Sequence, residues 1–451
     1  MAAPSDTRLP VPETTHKPDE QAYPHLFRNF ALGIVNGGTF IFAEALMSMD
    51  TVLTWFVQQL GGSNFLIGLV GPMRDAGWFL PQLFISHRLQ REPLKIPLYR
   101  RAAAVRSVAW FVWTAATFVL AANTPALLLV FFVAFAVNAL ASGFAGLPFM
   151  EIVAKTIPPR RRGSYFGARI FAGSLLGLLA SVLVAVALSE QNPLPFPQNV
   201  GVLFAISWVA AVIGMTAFGL VKEPHSDVRD DGATFTAHMQ RAARLPRQNR
   251  NLRYLLIARV VILLSYVAGP FYSIFSINVL HAPVSIIGLY VGVRTIVALL
   301  INPVWSRLSD RRGNKLVMQL ATATGVLMIA WAVFAPSAAH RLNAPEQLVA
   351  YLFVPVFALM GIYETGIGIG SVNLTLEVAP ANDRAIYIGL TNTVLGVAYI
   401  STAVSGLIVD QIGYVGVFAL GLGLLLIASW ALWRMRDPRE VETDRMKHVN
   451  R

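Results

Sequence analysis

The sequence contains no cysteine and very little charge. Of its 451 residues, 13% are Asp, Glu, Lys or Arg, whereas soluble proteins average about 25%. So little charge excludes a water-soluble protein of several domains, because the chain has too few charged and polar side chains to cover the surfaces of its domains. The absence of cysteine excludes a disulfide-stapled scaffold and thiolate metal sites, and the scattered histidines form no cluster with metal-ligand spacing.

Several chemical motifs are absent as well. No G-x-x-x-x-G-K-[ST] stretch is present, which excludes a protein powered directly by ATP bound at such a phosphate-binding loop. No G-x-S-x-G nucleophile motif occurs, and no repeated filter-like loop indicates an ion channel. We therefore expect a protein that is not an enzyme and that uses no cofactor and no metal.

Long apolar runs dominate what remains. Hydrophobic residues make up 55% of the chain, and a helix needs about 20 mostly apolar residues to cross a bilayer. The runs do not alternate apolar and polar residues as barrel strands do. The sequence thus predicts an all-α integral membrane protein with twelve transmembrane helices. In chain order, the predicted helices 1 to 12 are Phe30–Phe56, Phe65–Ser86, Ala102–Ala121, Ala126–Met150, Ser164–Leu188, Val200–Val221, Tyr254–Val279, Val284–Leu308, Lys315–Phe334, Gln347–Val372, Ala385–Val409 and Val415–Trp433.

The positive charge is unevenly distributed. The net charge is +12, and Lys and Arg collect in the tails and after the even-numbered helices, while Arg341 is the exception after an odd one. Because positive residues remain in the cytoplasm, we expect both termini inside a bacterial inner membrane. The basic charge is then topological, and we expect the lipid bilayer rather than nucleic acid as a partner.

The longest polar stretch between helices divides the chain into two halves. We expect a disordered cytoplasmic tail over 1–27, a six-helix bundle over 28–221, a cytoplasmic linker over 222–252, a second six-helix bundle over 253–434 and a cytoplasmic tail over 435–451. The halves repeat weakly, and pseudo-symmetric bundles of this kind build many transporters. The matching positions are Gly68 with Gly288, Arg74 with Arg294, Arg162 with Arg384, Tyr165 with Tyr387, Gly167 with Gly389, and Glu151 with Glu377.

The loop after helix 8 carries a family motif. It reads PVWSRLSDRRGNK and is similar to the G-x-L-x-D-R-x-G-R-K loop of the major facilitator superfamily, with Asp310, Arg311, Gly313 and Lys315 on its Asp, Arg, Gly and final Lys. The resemblance implies the twelve-helix fold of that family, alternating access by a rocker switch, and a monomer. The first-half copy, LPQLFISHRLQREPLK, lacks the Asp and the Gly, helix 5 lacks the exporter signature, and helix 4 has Asn138 as its polar residue. We therefore expect an atypical branch.

The same resemblance implies a set of gating residues. Asp310 would latch the halves together by capping a neighbouring helix or by pairing with an Arg such as Arg384. Alternatively, the loop is polar and basic only because its positive charge sets the orientation of the chain in the membrane. Helices 2, 5, 8 and 11 would pack the halves together, while helices 1, 4, 7 and 10 would line the cavity. The interdomain set is Arg294, Asp310, Arg311, Gly313, Lys315, Arg162, Arg384, Glu151 and Glu377.

Ionisable residues inside the spans are the candidate transport residues, since each costs roughly 2.5–3.5 kcal/mol at the bilayer centre. Counting along antiparallel helices places Glu44 level with Arg74, and Arg259 level with Glu364. Each couple is a candidate ion pair. Because burial and a nearby Arg act oppositely on a carboxyl pKa, making and breaking such a pair would couple proton movement to transport. The alternative is that these are structural pairs. The candidate proton and substrate set is Glu44, Asp50, Arg74, Arg259, Glu364, Tyr266, Tyr272 and Asn138.

These features favour a proton-coupled secondary transporter of a small molecule. A carboxylate on helix 1 within an aromatic cavity favours export of a lipophilic or cationic compound, and the missing exporter signature on helix 5 opposes it. Uptake of a polar metabolite is the alternative. A facilitator without ion coupling and a non-transporting helper of the same fold, which binds a lipid, a pigment or a membrane-protein partner, are the rivals.

Overall fold

A computed structural model describes residues 23–225, 244–341, 345, 351–380 and 384–439, apart from a few side chains within helices. Twelve long helices lie within these residues, which confirms the predicted all-α fold. They are α1 Leu26–Gln59, α2 Asn64–Arg91, α3 Ile96–Val119, α4 Thr124–Thr156, α5 Pro159–Ala187, α6 Gln198–Gly219, α7 Arg250–Asn278, α8 Ile286–Arg312, α9 Asn314–Arg341, α10 Val354–Val378, α11 384–412 and α12 414–434.

Ten stretches in the described part of the chain are long and apolar enough to cross a membrane. One of them, Leu390–Arg434, holds most of α11 and all of α12, since Gly413 has a φ of 70° and breaks the helix there. Helix α2 is not among the ten and carries Arg74 and Asp75 near its middle. The protein is therefore a multi-pass membrane protein.

Helices α1 and α7 are interrupted at matching heights. A π-helical turn, Met49–Leu53, breaks α1, and a 3-10 turn, Tyr266–Ala268, breaks α7 just before Pro270. Proline removes a backbone donor, and such breaks persist at membrane depth where the freed groups find other partners. One such partner is visible, because Ser273 Oγ donates to the carbonyl of Asp50 at 2.7 Å.

The helices pack as two groups of six. The contacts within α1–α6 and within α7–α12 are joined mainly by two helix pairs, α2 with α11 and α5 with α8, and by smaller contacts of α1 with α7 and α8. Small residues make the closest approaches: a Cβ at Gly406 of α11 would collide with the backbone of Asn64, and a Cβ at Gly288 of α8 with Ser181 and Ala185 of α5. Helices in a bilayer associate through such small-residue contacts.

The bundle is closed at the end away from the termini, which we call the far side; the opposite end, with residues 23 and 439, is the terminal side. Among the described residues, hydrogen bonds between the halves lie at the far side or mid-height. Asn64 donates to Asp410 at 2.6 Å, and Ser405 donates to the Gly68 carbonyl at 3.4 Å. The far-side ends of α2 and α11 are thus held together.

Candidate functional site

A cavity lies between the two halves at mid-height. It consists of two joined lobes of about 380 Å³ and 650 Å³. The smaller lobe faces α7, α10 and α11, and the larger faces α1, α3 and α4. The residues that line both lobes are Met49, Asp50, Arg74, Asp75, Arg294, Glu364 and Tyr399.

Glu44 and Arg74 form an ion pair in this cavity. Arg74 Nη2 lies 2.5 Å from Glu44 Oε1, and the two side chains keep 41% and 39% of their surface accessible. Arg74 Nη1 also lies 3.7 Å from Met49 Sδ. The pair that depth counting predicted between helices 1 and 2 is therefore present, and it faces the cavity rather than dry protein.

Arg294 joins carboxylates from both halves. Its Nη1 lies 3.2 Å from Asp50 Oδ2 on α1, and its Nη2 lies 2.6 Å from Glu364 Oε2 on α10. Its Nε donates to the same Glu364 oxygen at 2.9 Å. The expected pair between Arg259 and Glu364 is therefore wrong, because Glu364 is turned toward α8.

Arg259 lies apart from these carboxylates. It lines the smaller lobe, and its Nη1 donates to Thr375 Oγ1 at 3.3 Å. Asp75, next to Arg74, lines both lobes, and no described residue forms a hydrogen bond or ion pair with its carboxylate. The cavity centre thus combines two ion-paired arginines with a carboxylate that has no bonded partner in the described chain.

The polar and aromatic candidates divide between the cavity and the core. Asn138 lines the larger lobe, where its amide donates to the Arg106 carbonyl at 3.2 Å. Tyr266 lines the smaller lobe. Tyr272 is 2% exposed and stacks on Phe418 with ring centroids 4.9 Å apart. The expectation that Tyr272 faces the substrate is wrong, since its ring packs inside the second half.

The family loop does not form the expected latch. Asp310 is exposed, and its backbone carbonyl, not its carboxylate, accepts a hydrogen bond at 3.0 Å from Arg439 Nη1. Arg439 also pairs with Glu377 at 2.8 Å, so the predicted C-terminal tail begins with a contact to α8 and α10. The side chain of Arg384 lies outside the described residues. The contact observed at this loop therefore lies within the second half and not between the halves.

The remaining gating candidates also bond within their own halves or face outward. Arg162 donates to the carbonyls of Ile157 and Ala154 at the end of α4, and Glu151 lies 3.7 Å from Lys95. The backbone at the start of α9 is shaped by Gly313, whose φ is 88°. Of the two further candidates, Arg311 is exposed and Lys315 is half-buried. Neither side chain forms a bond to a described residue.

Sequence reasoning missed two arginines inside the bundle, of which Arg106 is buried and Arg169 is half-buried. Arg106 of α3 lines the larger lobe, and Arg169 of α5 donates to the Gly33 carbonyl and to Asn36 Oδ1 at 2.7 Å and 2.9 Å. Both stand within three turns of a helix start, where Lys and Arg are expected for topology. Their position in otherwise apolar turns, as in VRSVAW, was the signal that could have identified them.

Comparison with known proteins gives the same fold. The family model described as Major Facilitator Superfamily matches residues 254–449. Among solved structures, the nucleoside transporter NupG (D323A mutant) is 15% identical, covers 90% of this chain and 99% of its own, and has a TM-score of 0.67. A bacterial homologue of the iron transporter ferroportin, in its inward-facing state, is 14% identical over 91% of this chain and 99% of its own, with a TM-score of 0.65. A D-xylose-proton symporter is 15% identical over 92% of this chain and 99% of its own, with a TM-score of 0.62.

No curated protein sequence matches the chain significantly. The family's pattern matches the second half of the sequence, and the fold shared with these transporters extends over both halves. With twelve helices around a cavity between two groups of six, the described part of the chain has the fold of these transporters, and its second half matches the family model of the Major Facilitator Superfamily.

Proposed function

We propose that this protein is a proton-coupled secondary transporter of a small polar molecule. It works by alternating access, with the far side closed and the terminal side opening to the cytoplasm in the described state. The observation that carries the proposal is the bridge from Arg294 to Asp50 in one half and to Glu364 in the other. A charge pair between two moving halves biases a two-state equilibrium, because it exists in only one of the states.

The carboxylates supply the coupling in this scheme. Protonation of Asp50 would remove its ion pair with Arg294 and would weaken the closure of the far side. Protonation of Glu44 would release Arg74 in the same way. A proton bound at Asp50 would thus favour a state open to the far side, whereas a proton bound at Glu44 would change the charge balance of the cavity within the first half. Together these effects would link proton movement to substrate movement.

The lining of the cavity favours a polar substrate over a lipophilic one. Both lobes contain arginines and carboxylates, and a lipophilic compound would have to displace their water without replacing its hydrogen bonds. Uptake of a polar metabolite therefore becomes the preferred alternative over export of a lipophilic or cationic compound. A non-transporting helper would require a pocket without polar contacts, whereas arginines and carboxylates line both lobes of this cavity.

The test uses the purified full chain and a panel of sugars, nucleosides, amino acids and lipophilic cations. Ligands that bind the native state raise its melting temperature. Compounds that do so are then followed as labelled solutes into vesicles, with and without an inward acid gradient. We expect a polar compound to accumulate only with the gradient, and Glu44→Gln to lose that dependence.

Glu190→Gln is the matched control, because Glu190 is exposed in the loop after α5. It should transport as the wild type does. Accumulation that ignores the gradient would support a facilitator instead. A protein that binds a ligand and never moves it would support the helper.

A further inference from the structure

One face of α3 presents three N–H groups that have no acceptor. They are Arg106 Nε, Trp110 Nε1 and Trp113 Nε1, all without a hydrogen-bond partner in the described part of the molecule. The spacing of four and three residues places these side chains on one side of a helix. All three residues line the larger lobe of the cavity, and they are 8%, 3% and 1% exposed.

Arg106 differs from the other arginines at the cavity centre. Arg74 is paired with Glu44, and Arg294 with Asp50 and Glu364. No described carboxylate lies within ion-pair distance of Arg106, whose guanidinium instead lies over the ring of Phe40, 4.9 Å from its centroid. The larger lobe therefore holds one cation whose charge no described side chain balances by direct contact.

A buried guanidinium without an anion is costly, because its desolvation is not repaid by an ion pair. Indole N–H groups that lack an acceptor add to that cost. An anionic ligand would satisfy both, since carboxylates and phosphates accept strong charge-assisted hydrogen bonds from Arg. The surrounding rings, including Trp113 and Phe135 at 5.9 Å between centroids, would pack against an apolar part of the same ligand.

We propose that α3 forms an anion-binding subsite, in which Arg106 binds a carboxylate or phosphate group of the transported molecule beside the N–H groups of Trp110 and Trp113. This inference rests on the proposed function and adds the chemical class of its substrate. The Asn138 amide, which donates to the Arg106 carbonyl, holds this turn of α3 against α4.

Matched aromatic probes test the subsite on the purified full chain in detergent. Benzoate is compared with benzamide, and phenyl phosphate with phenol, by titration of the melting temperature. We expect at least one of the anions to bind and the neutral compounds to bind far more weakly. The anion that binds identifies the carboxylate or the phosphate as the recognised group.

Variants then assign the effect to Arg106. Arg106→Gln should weaken binding of the anion about tenfold or more, as expected for loss of a charged hydrogen bond, while Arg106→Lys should retain part of it. Arg101→Gln removes an exposed charge from the same helix and should bind as the wild type does. If Arg106→Gln fails to fold, Trp113→Phe is used instead. It removes the indole N–H, keeps a smaller aromatic ring, and should weaken anion binding.

Equal binding of anions and neutral analogues, binding of none of them, or unchanged binding of the anion by the Arg106→Gln or Trp113→Phe variant would overturn the proposal. The measurement needs neither a gradient nor Glu44. Binding of the anion without transport in vesicles would thus support the subsite and contradict the proposed function. Gradient-driven transport of a neutral compound, with no binding of the anions, would support the proposed function and contradict the anion-binding subsite.

Discussion

Arg294 on α8 forms an ion pair with Asp50 on α1, 3.2 Å away across the interface between the halves. The two residues stand 244 positions apart in the chain. Beside them Ser273 donates to the Asp50 backbone carbonyl, so the broken segment of α1 is held from the second half at both its side chain and its backbone. This ion pair between two residues of the cavity lining therefore also holds the two halves together in the state that is closed at the far side.

Replacement of Arg294 by glutamine should destabilise the protein. It leaves Asp50 and Glu364 as neighbouring carboxylates without a cation, and removal of one partner from a buried pair costs about 3 kcal/mol. Protonation of the carboxylates relieves that repulsion. The loss of melting temperature relative to the wild type should therefore be large in alkaline buffer and smaller in acid.

Arg307→Gln is the comparison for this measurement, since Arg307 is exposed on the same helix. Its melting temperature should follow that of the wild type at every pH. An Arg294→Gln protein whose deficit does not change with pH would argue that the two carboxylates are not the groups that Arg294 neutralises.

Substitution of Gly406 by alanine should open the far side. The added Cβ would overlap the backbone of Asn64, so α2 and α11 must separate where they now touch. Because the chain has no cysteine, Ser48→Cys, which lies in the larger lobe, can be labelled without background. An impermeant maleimide applied from the far side should label it faster when Gly406→Ala is also present.

Gly423→Ala provides the control, because a Cβ there meets open space. It should leave the labelling rate of Ser48→Cys unchanged. If Gly406→Ala also leaves that rate unchanged, the contact between α2 and α11 does not control access to the cavity.

The distribution of Lys and Arg predicts the orientation in the membrane. Gln191 lies in the exposed far-side loop between α5 and α6, and Glu92 in the exposed terminal-side loop between α2 and α3. In intact cells an impermeant maleimide should label Gln191→Cys, and it should label Glu92→Cys only after the membrane is permeabilised. The opposite pattern would place the termini outside.

Replacement of Arg439 by alanine should loosen the terminal side of the second half. Arg439 pairs with Glu377 and donates to the carbonyls of Ser309 and Asp310 at the end of α8. Cations at a helix C-terminus and partly exposed ion pairs contribute up to about 1 kcal/mol each. The free energy of unfolding should therefore fall by about 1–2 kcal/mol.

Arg436→Ala is the matched variant, because the Arg436 side chain is exposed three residues earlier. It should leave the stability within experimental error of the wild type. Equal losses in both variants would mean that the C-terminal segment contributes through general charge and not through the Arg439 contacts.

The sequence by itself determined the number of helices, their order and the membrane class, because each of these depends on local runs of apolar residues and on one-dimensional length. It also identified the pair of Glu44 and Arg74. A short loop joins α1 to α2, and two antiparallel neighbours with a fixed rise per residue leave little freedom in relative height.

The tertiary structure alone decided which charges meet beyond such neighbours. Counting residues estimates the depth of Arg259, Arg294 and Glu364, and depth led to the wrong partner for Glu364. The direction in which a side chain leaves its helix, and the rotation of one helix against another, depend on how all twelve pack. Arg106 was missed for the same reason, since only the packed bundle turns it from the membrane surface into the cavity.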